Sequence, residues 1–150
     1  MPVLFAYLHH LLAFSLVAIL FAEAILLSTR LTLEIAKKIQ LLDLFYGLCA
    51  MLLVAVGSLR VAYFEKGWDY YRHSPWFMAK MTLFVAVALL SAYPTLRFLQ
   101  WRQFTARGEL PDLSAAQLSR LRRLIYLQAL GIVAIIFCAV AMAKNLGGES

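Results

Sequence analysis

Four long runs of apolar positions, from about Val3 to Ser28, Leu41 to Tyr63, Pro75 to Leu99 and Leu124 to Ala143, alternate with three short polar connections. About 20 apolar residues are enough to cross a bilayer, so each run has the length of a membrane span. In hydrocarbon every backbone N–H and C=O needs an internal partner, which helices provide and open strands do not. The pattern therefore predicts four transmembrane helices in one domain. The first run lacks a basic leading region and a small-residue cleavage site, and it is too long for a signal-peptide core, so it reads as a retained helix. Arg30 to Gln40 is amphipathic, with Leu31, Ile35 and Ile39 on one side, and predicts a helical segment along the headgroups. The 64–74 connection carries Trp68, Tyr70 and Tyr71, an interfacial aromatic belt by composition. Ser74 before Pro75 suits an N-cap and first turn. Ser114 with Gln117 has capping-box spacing and predicts a short helix leading into the fourth span.

Composition sharpens this reading. The 150 residues are 63% hydrophobic and 15% charged, against about 45–50% and 25% in soluble domains. The two cysteines, Cys49 and Cys138, lie inside apolar runs, which leaves no disulfide framework or Cys-x-x-Cys knuckle. Glycine-rich phosphate loops, His-Glu-x-x-His and nucleophile-elbow motifs are absent from the sequence, so soluble-enzyme templates do not apply. The net charge of +6 reads as loop charge facing lipid headgroups, not as a nucleic-acid patch. Nine of the basic residues (Arg30, Lys37, Lys38, Arg97, Arg102, Arg107, Arg120, Arg122 and Arg123) fall at the first and third connections. By the positive-inside rule that side is cytoplasmic, and both termini face outward. The expected fold is an all-α integral membrane four-helix bundle with N- and C-termini outside.

Function then has to be sought in polar residues within apolar segments, each of which costs about 2.5–3.5 kcal/mol on insertion scales. The topology sorts them into two layers. His9, His10, Lys80 and Arg60 come to one level near the outer surface, and Glu23, Asp43, Tyr93, Arg97, Arg123 and Gln128 to a level near the inner one. At about 100° per residue, His9, Ala13, Leu16, Leu20 and Glu23 share a stripe that faces the bundle if Glu23 does, whereas His10 points away. Asp43, Gly47, Ala50, Val54 and Gly57 form a small-residue stripe on the second helix. Lys80, Phe84, Val87 and Ser91 align on the third, where Pro94 can bend the inner end. A neutral imidazole in a low-dielectric bundle is a good iron ligand, and nearby cations can hold porphyrin carboxylates. His9 with Lys80 and Arg60 thus has the chemistry of a haem or related tetrapyrrole site, while Lys80 and Arg60 alone can equally snorkel to the headgroups. His10 and His73 read first as interfacial residues, His73 being an alternative second axial ligand; three histidines exclude two bis-histidine haems. Glu23 and Asp43 read as partners of Arg97 or Arg123 that lock the bundle, with proton handling as the alternative. Met78 and Met81 offer soft ligands for copper, but as a single Met-x-x-Met pair without a repeat or more sulfur.

The stretches Leu8-His9-His10-Leu11-Leu12 and Trp76-Phe77-Met78-Ala79-Lys80-Met81-Thr82-Leu83, with Val56-Gly57 closing the second span, resemble the first three helices of the HemJ-type protoporphyrinogen IX oxidases. The closer resemblance is to a bacterial family of predicted four-helix membrane proteins similar to HemJ and to copper-resistance CopD-like proteins. That resemblance implies a multi-pass protein of the bacterial inner membrane, with His9 as the first-helix histidine, Lys80 as the third-helix lysine and haem b as cofactor. The sequence departs from the HemJ pattern at Glu23-Ala24, where that family carries a proline-arginine pair. It departs again at Leu124 to Ala129, where the family has an asparagine-glutamate-isoleucine-proline run. The expected function is a haem- or tetrapyrrole-binding membrane protein, an oxidoreductase by resemblance. Its site would be His9 and Lys80 as catalytic residues, His9 as metal ligand, and Arg60 and His10 as further cofactor-binding residues. The partners would be the lipid bilayer and a quinone or tetrapyrrole, with the small-residue stripes equally suited to a homo-oligomer. The alternatives are a copper-handling or transport module built on His9, His10, Met78 and Met81, and a scaffold subunit.

Overall fold

A computed structural model of the chain describes residues 2–64 and 75–144; the expectations for Trp68, Tyr70, Tyr71, His73 and Ser74 lie outside them. The described residues form α1 (Pro2–Ser28), α2 (Leu33–Leu59), a π-helical turn (Arg60–Phe64), α3 (Pro75–Thr105) and α4 (Ala115–Ala143). No strand occurs among them, and all four helices are long and apolar enough to cross a membrane. The fold is therefore all-α, as the runs of apolar residues require.

The helices extend further at the basic end than the hydropathy pattern indicates. The segment expected to lie along the headgroups is instead the start of α2. Thr32 caps it by accepting a hydrogen bond from the Ile35 N–H at 3.2 Å, and Ala36 and Ile39 are fully buried against the bundle. The amphipathic face thus packs on protein rather than lipid, and the first connection shrinks to residues 29–32. The short helix expected after Ser114 likewise runs unbroken into the fourth span. Its capping box is present as predicted: Gln117 N–H donates to Ser114 Oγ at 3.2 Å and Ser114 N–H to Gln117 Oε1 at 3.0 Å. The α3 helix passes through buried Pro94 to Thr105. There the backbone closes on itself, with Glu109 N–H donating to the Phe104 carbonyl at 3.0 Å while Gly108 takes φ +75°. That left-handed conformation is cheap only without a Cβ.

Packing closes a ring: α1 lies along α2, α3 along α4, α1 also against α4, and α2 against α3. The core runs through Leu16, Leu20, Ala24 and Leu27 of α1, Ala36, Ile39 and Tyr46 of α2, Phe98 and Trp101 of α3, and Leu121, Ile125 and Ile132 of α4. Phe14, Phe21, Leu89, Leu130 and Phe137 point outward and are more than half exposed. A bundle this apolar on its outer surface needs hydrocarbon around it. Close approach of α3 and α4 depends on Gly131, where a Cβ would run into Val87 Cγ2, the small-residue packing expected between membrane helices.

Candidate functional site

One polar residue fixes the phase of α1. Because α1 is apolar all round, its hydrophobic pattern favours no face, but burying Glu23 puts Leu20, Leu16, Ala13 and His9 on the inward side. The structure has this arrangement: Glu23, Leu20 and Leu16 are buried and His9 is half-buried. The His9 imidazole lies against Gly57 of α2, so closely that a Cβ on Gly57 would come within 3.2 Å of His9 Cε1.

His9 and Lys80 line one cavity of about 420 Å³ in the half of the bundle where α1 begins and α4 ends, together with His10, and its walls come from all four helices. Phe84, Val87, Ile132, Ile135 and Ile136 make it mostly apolar, and Tyr46 and Ser91 add hydroxyls at its inner end. Its size falls within the roughly 300–1,000 Å³ of small-molecule sites. Lys80 Nζ stands 5.1 Å from the centroid of the Phe77 ring, a cation–π contact that keeps the ammonium beside the bundle. His10 is exposed at the rim. Its Nδ1–H donates to the Ala6 carbonyl at 2.7 Å, and its ring meets that of His9 edge-on at 6.1 Å. In a neutral ring the lone pair is then on Nε2. Of the four residues expected here, the fold brings His9, His10 and Lys80 together; Arg60 stands in the π-helical turn and is not among the lining residues. Met78 and Met81 are exposed on α3 and do not line the cavity either. Among the described residues no three His, Cys, Asp or Glu side chains form a metal-ligand group.

The stripe expected on α2 is shifted by one residue at two places. Asp43, Ala50 and Gly57 face inward as expected, but Tyr46 and Leu53 replace Gly47 and Val54, and Val54 is 46% exposed. Tyr46 is the residue that reasoning from small side chains missed. Its ring is far larger than anything Gly47 could bury, and turning it inward satisfies the hydrophobic term at the expense of close helix approach.

The inner layer forms, but not by ion pairing. Measured along the axes, Glu23 is about 21 Å from His9 and Asp43 about 21 Å from Gly57, so the two carboxyls share a level. Neither is within salt-bridge distance of Arg97 or Arg123; among the described residues the ion pair is Lys38–Glu34, at 2.6 Å. Asp43 Oδ1 instead accepts from Thr95 Oγ1 at 2.8 Å. Arg97 donates to Gln100 Oε1 at 3.0 Å and, with Arg120, stacks on the Tyr93 ring. The expected arginine pairing is therefore wrong. The guanidiniums reach the headgroup level, where solvation is cheap, and a hydroxyl on the facing helix supplies the carboxylate at lower desolvation cost. Glu23 is 2% exposed and Gln128 is 1% exposed, and Glu23 Oε1 and Gln128 Nε2 have no hydrogen-bond partner among the described residues.

The helices and this cavity define a polytopic membrane protein with an intramembrane pocket. Residues 1–147 match the family described as "Predicted membrane protein (DUF2214)", and the chain belongs to that family. No curated protein and no solved structure matches it, so the HemJ-type and CopD-type resemblances rest on the short motifs quoted above.

Proposed function

We propose that the outer cavity binds a planar, amphipathic ligand of the tetrapyrrole class, with haem b the first choice. The observation that carries this is the meeting of His9, His10 and Lys80 on one apolar cavity of about 420 Å³ walled by four helices. The donor set fits the group. A single imidazole in an apolar cavity is the proximal ligand type of many haem proteins, an ammonium at the rim pairs with carboxylates, and the aliphatic and aromatic walls match a macrocycle's faces. In this reading His9 is the iron ligand, Lys80 holds carboxylates at the outer edge, His10 borders the entrance, and Gly57 leaves the imidazole room to lie against α2. Arg60 is close in sequence to Gly57 and would act only as an outer charge. A bound haem would supply one-electron chemistry within the membrane; the HemJ-type resemblance makes tetrapyrrole oxidation in a bacterial inner membrane, with a quinone as acceptor, the natural extension. Copper handling is less favoured, because Met78 and Met81 turn away from the histidines.

The test is an absorption spectrum of the detergent-purified protein after expression with ample haem. The expected result is a Soret band that His9→Ala abolishes or shifts, and a lower retained haem content in Lys80→Gln. Gly57→Leu, which pushes on the imidazole without removing it, should perturb the band as well. A colourless protein that also fails to quench its tryptophan fluorescence on titration with protoporphyrin would overturn the proposal.

A further inference from the structure

A second site lies at the opposite end of the bundle. Lys80 and Arg102 are about 33 Å apart along α3 at 1.5 Å per residue, which is the thickness of a bilayer's hydrocarbon core, about 30 Å. Arg102 and, on α2, Lys37 therefore stand at the other headgroup level. A groove of about 410 Å³ separates α2 from α3 there, with Lys37 and Arg102 at its mouth. Leu41, Leu44, Leu48 and Met51 continue it along α2. Gly47 gives it depth, since a Cβ at that position meets nothing within 4 Å. Nearby Lys38 is engaged with Glu34, whereas no carboxylate stands within salt-bridge distance of Lys37 or Arg102 among the described residues. Asp43 also borders the groove, but further in, held by Thr95.

We propose that this groove is a binding site for one anionic glycerophospholipid, its phosphate between Lys37 and Arg102 and an acyl chain laid along Leu44, Gly47 and Met51. Two independent features select this occupant. The paired cations complement a phosphate, and basic pockets between membrane helices hold anionic lipid headgroups. The trench from Lys37 to Met51 is about 21 Å long, enough for the headgroup edge plus the roughly 15 Å of one leaflet. A soluble phosphate would use the mouth and leave the trench empty. The site is separate from the outer cavity, and neither reading depends on the other.

The experiment measures lipid retained by the full-length protein in native mass spectrometry, after extraction from vesicles of equal phosphatidylglycerol and phosphatidylcholine. The expected result is at least tenfold enrichment of phosphatidylglycerol on the wild type. Lys37→Gln/Arg102→Gln should lose that preference by removing the charge. Gly47→Leu, which alters no charge and has room for its side chain, should lower retention of phosphatidylglycerol at least fivefold by filling the trench. Helicity by circular dichroism verifies that each variant is folded, and the neutral Gly47→Leu variant separates the site from the topological role of basic residues. Equal retention of the two lipids, or phosphatidylglycerol retained undiminished by Gly47→Leu, overturns the proposal. So does displacement of the lipid by millimolar inorganic phosphate alone, which would make this a phosphate site rather than a lipid site.

Discussion

Single residues act here mainly by what they leave room for. At Gly131 a Cβ would strike Val87 Cγ2. Gly131→Ala should therefore overpack the α3–α4 seam and cost about 1–3 kcal/mol, and Val87→Ala in the same chain should recover most of it. Thermal unfolding of the two single variants and the double variant in detergent measures that coupling. Additive losses would show that the seam relaxes elsewhere. Glu23 is the opposite case, a carboxyl buried at 2% exposure whose Oε1 has no hydrogen-bond partner among the described residues. Because an unsatisfied buried polar group costs about 1–3 kcal/mol, Glu23→Leu should leave the thermal midpoint unchanged or raise it. A clear fall would mean that a bridging water or another polar group already satisfies the carboxyl. In the sequence these two residues differ in legibility. A carboxylate within an apolar run declares itself through its insertion cost, while a glycine's role depends on which side chain faces it from another helix.

Secondary elements were readable in number and in kind, and less so in extent and phase. Apolar runs mark where hydrocarbon contact is possible, but a membrane helix that continues past the bilayer surface has no hydropathy signal there, which is why α2 begins at Leu33 and α4 at Ala115. Local chemistry marks those starts better: Thr32 and Ser114 both cap the helices that follow. Phase followed polarity where a polar residue existed and failed where small residues were the guide, as Tyr46 shows. Two side-chain hydrogen bonds join α2 to α3 toward the basic end, Thr95 Oγ1 to Asp43 Oδ1 at 2.8 Å and Thr105 Oγ1 to Gln40 Oε1 at 3.2 Å. A double-mutant cycle on Asp43→Asn and Thr95→Val should return a coupling of about 0.6 kcal/mol and no more than about 1.7, the range for hydrogen bonds between membrane helices. A value near zero would place the strength of that seam in its apolar contacts and the Thr105–Gln40 bond.

For the whole molecule, four spans put both termini on one side, and the positive-inside rule predicts that the other side, where most Lys and Arg fall, is the cytoplasmic one. Cysteine substitutions read this directly. Arg107→Cys should be labelled by a membrane-impermeant maleimide only after the membrane is opened, and Val3→Cys in intact cells, with native Cys138 protected because it is buried. The reverse pattern would invert the orientation and put the His9 cavity at the cytoplasmic end. The sequence by itself determined the class of molecule, the number of helices and the two polar levels, because the cost of placing backbone and charge in hydrocarbon is paid segment by segment and needs no tertiary context. Only the tertiary structure decided which residues meet. In helices that are apolar on every face, periodicity cannot choose a side. The choice of Tyr46 over Gly47, of Thr95 over an arginine for Asp43, and of His9 against Gly57 came from how four particular surfaces fill one interior.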